Sequence, residues 1–210
     1  MKILILSDVH GNLPSLEEVL KKEKSVDLII SLGDVVNYGP WSNECVDLLE
    51  TVKNSVLIMG NHEESFLLGE YYGKNKVAKS FFNHCYPEFS RTKIIQEYVK
   101  KFTYFNSDFI HTVNNSYIFP DSEIKIDNNV FIGHSHRMFT KVIDDYRLVN
   151  VGSVGQNRVN IDEINYAIWD TEKDVVELVR KHFPADQLIN EMKIKNYPSI
   201  CLDYILSKRN

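Results

Sequence analysis

The chain has 210 residues, 43% hydrophobic and 25% charged, the makeup of one compact domain (1–210) with a sizeable core. A formal net charge of −5 excludes a broad basic groove for long nucleic acid, though not a small anionic substrate, because carboxylates that hold divalent cations turn the local field positive. No apolar run is long enough to span a bilayer and no cleavable signal pattern follows Lys2, so neither a membrane partner nor export is expected; the widely spaced Cys45, Cys85 and Cys201 read as free thiols of a cytoplasmic protein.

Met1 and the run from Ile3 to Leu6 predict a buried strand that runs out into Ser7-Asp8-Val9-His10-Gly11-Asn12. Side chains two apart on an extended chain point the same way, so this strand is expected to carry Asp8 and His10 to one point above a sheet edge. A helix over 13–24 follows, with Asn12 as its cap and Pro14 in its first turn. A second strand over 27–32 ends in Gly33-Asp34, a second helix covers 42–52, and a third strand over 55–59 ends in Gly60-Asn61-His62-Glu63. Strand and helix in alternation imply a parallel sheet.

A helical insertion is expected over 64–105, with pieces near 65–71, 77–86 and 91–102. Its aromatics (Phe81, Phe82, Tyr86, Phe89, Tyr98, Phe102, Tyr104 and Phe105) have helical spacing, which favours a packed subcore over a platform for stacking bases. A strand over 108–113 ends around His111, and 112–129 reads as a long site-shaping loop. The strand over 129–132 ends in Gly133-His134-Ser135-His136. Segments 139–143, 147–151, 165–170 and 175–179 suggest the antiparallel part of a second sheet, and 184–195 and 197–206 two terminal helices.

Five of these strand ends therefore carry such polar residues, and five of the seven histidines fall in them: His10, His62, His111, His134 and His136. The other two act as a control, His84 reading as structural on its helix and His182 as solvated. Imidazole, carboxylate and amide oxygen without thiolate suit manganese, iron, zinc, cobalt or nickel, not a cysteine-type structural zinc. Gly33, Gly60 and Gly133 precede candidate ligands, where the backbone must turn sharply or other groups approach closely.

The ordered set Asp8-x-His10, Gly33-Asp34, Gly60-Asn61-His62-Glu63, an isolated His111 and Gly133-His134-x-His136, with the elements Gly33 to Pro40 and Gly152 to Gln156, resembles the calcineurin-like metallophosphoesterases. Within them it is most similar to the small single-domain bacterial and archaeal phosphodiesterase-like branch. The resemblance implies an α/β fold, a four-layer α/β/β/α sandwich of two mixed sheets flanked by helices, with the site on loops at strand C-terminal ends. It implies two divalent metal ions, manganese foremost: one held by Asp8, His10, Asp34 and His136, the other by Asp34, Asn61, His111 and His134, with Asp34 bridging. Two such metals can share a bridging hydroxide that displaces the leaving group in line. His62 is the catalytic candidate, protonating the departing oxygen or stabilising phosphoryl charge.

The expected substrate is a small phosphate ester, with a nucleotide among the candidates and a diester favoured over a monoester; the oligomeric state stays open. The alternative is a non-catalytic scaffold, since one relative of the fold is a protein-interaction subunit of a membrane-trafficking coat that lacks the catalytic histidine, which is present here as His62. Relatives of this branch follow the isolated histidine with glycine and serine or proline; this chain has His111-Thr112-Val113-Asn114-Asn115, so its substrate loop is not the usual one. Among further substrate-binding candidates, Arg158, after Gln156 and Asn157, offers a fork for a phosphate oxygen or a surface ion pair. Asn37 and Tyr38 line the pocket or serve as turn residues, and Glu63 orients His62 or a metal water or is a helix-start carboxylate.

Overall fold

The computed structural model describes residues 1–209; residue 210, the expected domain end, lies outside them. Strands β1 (Lys2–Leu6), β2 (Leu28–Ser31) and β3 (Ser55–Leu57) pair in parallel, joined by helices α1 (Leu13–Lys22) and α2 (Ser42–Glu50). The Asn12 side chain accepts from the Ser15 amide at the start of α1, and Pro14 needs no donor in that first turn. Helices α3 (Asn61–Leu68), α4 (Lys76–Cys85) and the single turn α5 (Thr92–Ile95) follow.

The second sheet comprises β4 (Lys101–Tyr104), β5 (Ser107–Ile110), β6 (Asn129–Ile132), β7 (Met138–Ile143) and β8 (Tyr146–Val151), in the order β4-β5-β6-β8-β7. The chain then returns to the first sheet as β9 (Glu163–Asp170) and β10 (Val175–His182), giving the order β10-β9-β1-β2-β3, and closes with α6 (Asp186–Ile194) and α7 (Ser199–Leu206). Among the described residues no helix is long and apolar enough to cross a membrane.

Alternation along each strand builds the layers. Ile3 and Ile5 of β1 face Phe109, Phe131, Val149, Val151 and Trp169 in the core between the sheets, while Leu4 and Leu6 face the helices on the other side with Leu16, Val46 and Phe66. The outer face of the second sheet, from Val130, Ile132 and Leu148, is covered by Val113, Ile118, Ile124 and Ile126 of the irregular 112–128 segment. Tyr38 joins α4, α6 and α7 in a further apolar cluster with Phe81, Leu188 and Met192.

Two expectations are corrected. The insertion stops being helical at Ile95: Lys101–Tyr104 is a strand paired antiparallel with Ser107–Ile110, so Phe102 and Tyr104 pack on the inter-sheet core instead of joining Phe81, Phe82 and Tyr98. Helical spacing of aromatics is ambiguous when the run is short, and here pairing with β5 decided it. The antiparallel segments after 138 do not share one sheet either, since only β7 and β8 belong to the second, while β9 pairs with β1. Period-two patterning gives a strand its faces but not its neighbour. His182 is exposed, and His84 packs its ring on Tyr197 at 4.0 Å.

Candidate metal centre

The polar clusters follow β1, β2, β3, β5 and β6 at one end of the two sheets, and hydrogen bonds zip the loops together there. The Asp8 amide donates to Gly33 O (3.0 Å), that of His10 to Asp34 O (2.9 Å), and that of Gly133 to His111 O (3.0 Å). Asp8 and His10 converge for a different reason from the expected one. β1 ends at Leu6, and both residues lie beyond it in left-handed conformations, φ 54° and 49°. Asp34, His134 and His136 share that conformation, which costs on the order of 1–3 kcal/mol per residue and persists only where the surroundings over-determine it. Asp tolerates it better than most residues, so the ligand types and the turn geometry agree.

Gly60 and Gly133 show the close approach that glycine permits. A Cβ on Gly60 would sit inside the Asp34 carboxylate and amide, and one on Gly133 would overlap Ser7 Oγ and lie 2.5 Å from Asp8 Oδ2. Glu63 is fully buried and holds the Asp34 loop: its Oε1 accepts from Val35 N (2.7 Å) and Val36 N (3.1 Å), its Oε2 from Asp34 N (2.8 Å) and Gly60 N (2.8 Å). It therefore clamps backbone and touches neither His62 nor an open position. Burial and then the Asp34 charge push its carboxyl up to about 7, against the N–H donors of Val36, Asp34 and Gly60. Glu63→Gln puts an NH₂ group against two of the four N–H groups, and metal affinity is expected to fall about 10- to 100-fold although Glu63 is no ligand. Calorimetric titration with Mn²⁺ checks this; an unchanged affinity would mean that the loop holds itself.

Among the described residues, three groups of side chains bring ligand atoms within 4.8 Å of one another: Asp8, His10 and His136; His10, Asp34 and His62; and Asp34, His111 and His134. The hydrogen bonds decide what those atoms present. His10 donates Nδ1–H to Val36 O (3.2 Å) and His136 to Gln156 O (2.5 Å), which leaves a lone pair on each Nε2. Those two Nε2 atoms face each other at 3.3 Å, with Asp8 Oδ1 3.1 Å from that of His136. Asp8 Oδ1 is itself buried without a hydrogen-bond partner. His111 donates Nδ1–H to Leu32 O (2.9 Å), so its Nε2 faces Asn61 Oδ1 (3.1 Å), His134 Nδ1 (3.1 Å) and Asp34 Oδ2 (3.2 Å).

Acceptors converging on acceptors are stable only around positive charge, so the donor set fits cations. Burial opposes charge on His111, but the Asp34 carboxylate outweighs it and raises the ring to about 10, the proton filling the role a cation would. Burial likewise opposes the Asp34 carboxylate, and the imidazoles of His111 and His62 hold it well below the usual range. His134 falls to about 3, through burial and the neighbouring His111.

Of the remaining candidates, Asn37 does not line the pocket. It has no exposed surface and its Nδ2 lies 2.9 Å from His62 Nδ1. An amide N–H can only donate, so Nδ1 accepts and the His62 ring proton sits on Nε2, 3.9 Å from Asp34 Oδ2. The Tyr38 ring packs edge-on against His10 (4.7 Å) and His62 (5.3 Å). Sequence reasoning passed over Tyr71, stacked on His62 at 6.3 Å, and Tyr117, stacked on His134 at 4.1 Å. A lone tyrosine in the polar 112–128 segment was the available signal for the second.

The sequence profile of the calcineurin-like phosphoesterases matches residues 1–206. The chain is 31% identical over 228 residues, 92% of each chain, to uncharacterized protein MJ0912 of Methanocaldococcus jannaschii. A metallophosphoesterase from Sphaerobacter thermophilus superposes with a TM-score of 0.79 over 99% of each chain at 25% identity. The phosphodiesterase YfcE of Escherichia coli is 43% identical over 42 residues, 19% of this chain and 23% of that one.

Proposed function

The chain belongs to the calcineurin-like phosphoesterase family, and from that premise we propose that it is a phosphodiesterase working with two divalent cations on a small, soluble phosphate diester. The observation that carries this reading is the set of buried acceptors that converge around a shared Asp34. Asp8, His10, Asp34 and His136 would hold one cation, and Asp34, Asn61, His111 and His134 the other. Manganese is the proposed occupant, with iron, zinc, nickel and cobalt as competitors that such nitrogen and oxygen ligands hold more tightly, so that cellular supply decides among them. When bound, such ions supply Lewis-acid charge to the phosphoryl oxygens and acidify the attacking water.

The protein's own residues do the rest. His62 offers Nε2–H to the departing oxygen, a direction held by the Asn37 amide behind it. The diester preference draws support from the space on either side of the ligands. Asn61 borders both an open cleft of about 440 Å³, with His111, His134 and Lys100, and a more enclosed chamber of about 120 Å³, with His62, Tyr71 and Arg158. Two arms on one phosphate would fill two spaces, and a monoester only one. The net charge of −5 speaks for a small substrate, and three free cysteines for the cytoplasm.

Purified protein with Mn²⁺ is expected to hydrolyse bis(4-nitrophenyl) phosphate with a higher kcat/KM than 4-nitrophenyl phosphate, to lose the activity to a chelator and to regain it with metal. Two bound metals without turnover on a panel of mono- and diesters would transfer the assignment to a binding scaffold.

A further inference from the structure

Arg158 stands apart from the other arginines. Arg91, Arg147, Arg180 and Arg209 each pair with a carboxylate, and Arg137 is exposed. Arg158 is largely buried, has no carboxylate within ion-pair distance among the described residues, and its Nε has no hydrogen-bond partner. What surrounds it is aromatic: the guanidinium lies 5.4 Å from the centre of the Tyr117 ring and near the Tyr204 hydroxyl. A buried guanidinium with an unused donor is costly unless something anionic completes it.

The place where it lies says what that is. Arg158 lines the enclosed chamber together with His62, Tyr38, Tyr71, Tyr117 and Tyr204, whereas His62 does not line the open cleft on the other side of Asn61. Tyr71 and Tyr117 stand as walls stacked on His62 and His134 respectively. The group that enters this chamber is thus the one whose oxygen is next to the His62 proton.

We propose that Arg158 and the surrounding tyrosines form a specificity pocket for an oxyanion carried on the leaving arm of the substrate, a carboxylate or a second phosphoryl group beyond the scissile phosphate. The proposal rests on the phosphodiesterase reading above. In the reaction, a water oxygen bonds to phosphorus and the P–O bond to the chamber-side arm breaks. Its electron pair stays on the arm oxygen, whose developing charge the Nε2–H of His62 stabilises by a hydrogen bond, and the proton that ends on that oxygen comes from the attacking water. Throughout, Arg158 binds the distant anion through its planar fork, and the tyrosine faces accept a flat arm. Arg158 is a specificity-determining residue here; it does not meet the reacting atoms.

The test compares matched leaving arms. Wild-type protein with Mn²⁺ is expected to prefer phenyl 4-carboxyphenyl phosphate to phenyl 4-carbamoylphenyl phosphate, which differ in the charge of one arm. In Arg158→Ala the ratio of the two kcat/KM values is expected to fall about 10- to 100-fold, the range of a charge-assisted hydrogen-bond pair, and in Arg158→Lys by less. P1,P2-diphenyl diphosphate in the same series tells a phosphoryl arm from a carboxylate arm. A ratio that survives Arg158→Ala overturns the proposal, as does an equal loss on charged and neutral arms, which would assign Arg158 to the scissile phosphate or to the fold. Should wild-type protein hydrolyse no ester, the phosphodiesterase reading fails by itself. The pocket is then read from calorimetric binding of 4-hydroxybenzoate against 4-hydroxybenzamide: selectivity lost in Arg158→Gln supports an oxyanion site, and equal binding of the two overturns it.

Discussion

Asp34→Asn is expected to remove both bound metals together and to lower turnover by at least about two orders of magnitude, more than the loss typical of an outer-shell change. Asp34 belongs to two of the three ligand groups. Its Oδ1 is already committed, accepting from the His62 amide at 2.9 Å, while its Oδ2 looks toward His111 (3.2 Å), His10 (3.9 Å) and His62 (3.9 Å). An asparagine would keep its oxygen on the His62 amide and turn an NH₂ group to the imidazoles. Donors would then occupy the region where a cation must sit, next to both metal positions at once. The fold is expected to survive, because the backbone bonds from Asp8 and His10 and the Glu63 clamp involve main-chain atoms of this loop. Metal content by mass spectrometry decides the matter: retention of one full equivalent would contradict a shared carboxylate.

His62→Ala should lower kcat by about 100- to 1,000-fold while both metals remain bound, the usual scale for a positioned hydrogen-bond donor to developing negative charge. The histidine also lies within reach of a metal-ligand group, with His10 and Asp34, so the two roles compete. The hydrogen bond from Asn37 to Nδ1 separates them, since it leaves a proton and not a lone pair on Nε2. The deficit should shrink for arms that depart readily as anions, such as nitrophenolate, and grow for alkoxide arms, whose charge needs the hydrogen bond from Nε2–H. Loss of a metal equivalent in this variant would make His62 a ligand and end its part as donor.

Much of this was legible along the chain. Asp8, His10, Asp34, Asn61, His111, His134 and His136 stand out because hard-ligand side chains follow apolar strand runs, where a sheet must expose its ends. The parallel trio β1, β2 and β3 followed from strand and helix in alternation, and the start of α1 from Asn12 and Pro14. Local patterns failed where two conformations shared them, as in the aromatic run that ends in β4, or where a strand could choose its neighbour, as β9 did.

The sequence by itself determined which chemical groups are available and that they gather at strand ends, because residue type and hydrophobic period are local properties. Only the tertiary structure decided how they meet. His10 and His136 lie 126 positions apart, and their nitrogens face each other because left-handed turns and backbone bonds between loops bring them there. The same holds for Asn37 behind His62, for the four N–H groups around Glu63, and for Arg158 among tyrosines with no carboxylate in ion-pair distance among the described residues. Each depends on which buried surfaces face one another after the sheets have stacked, and no pattern within a single segment specifies that.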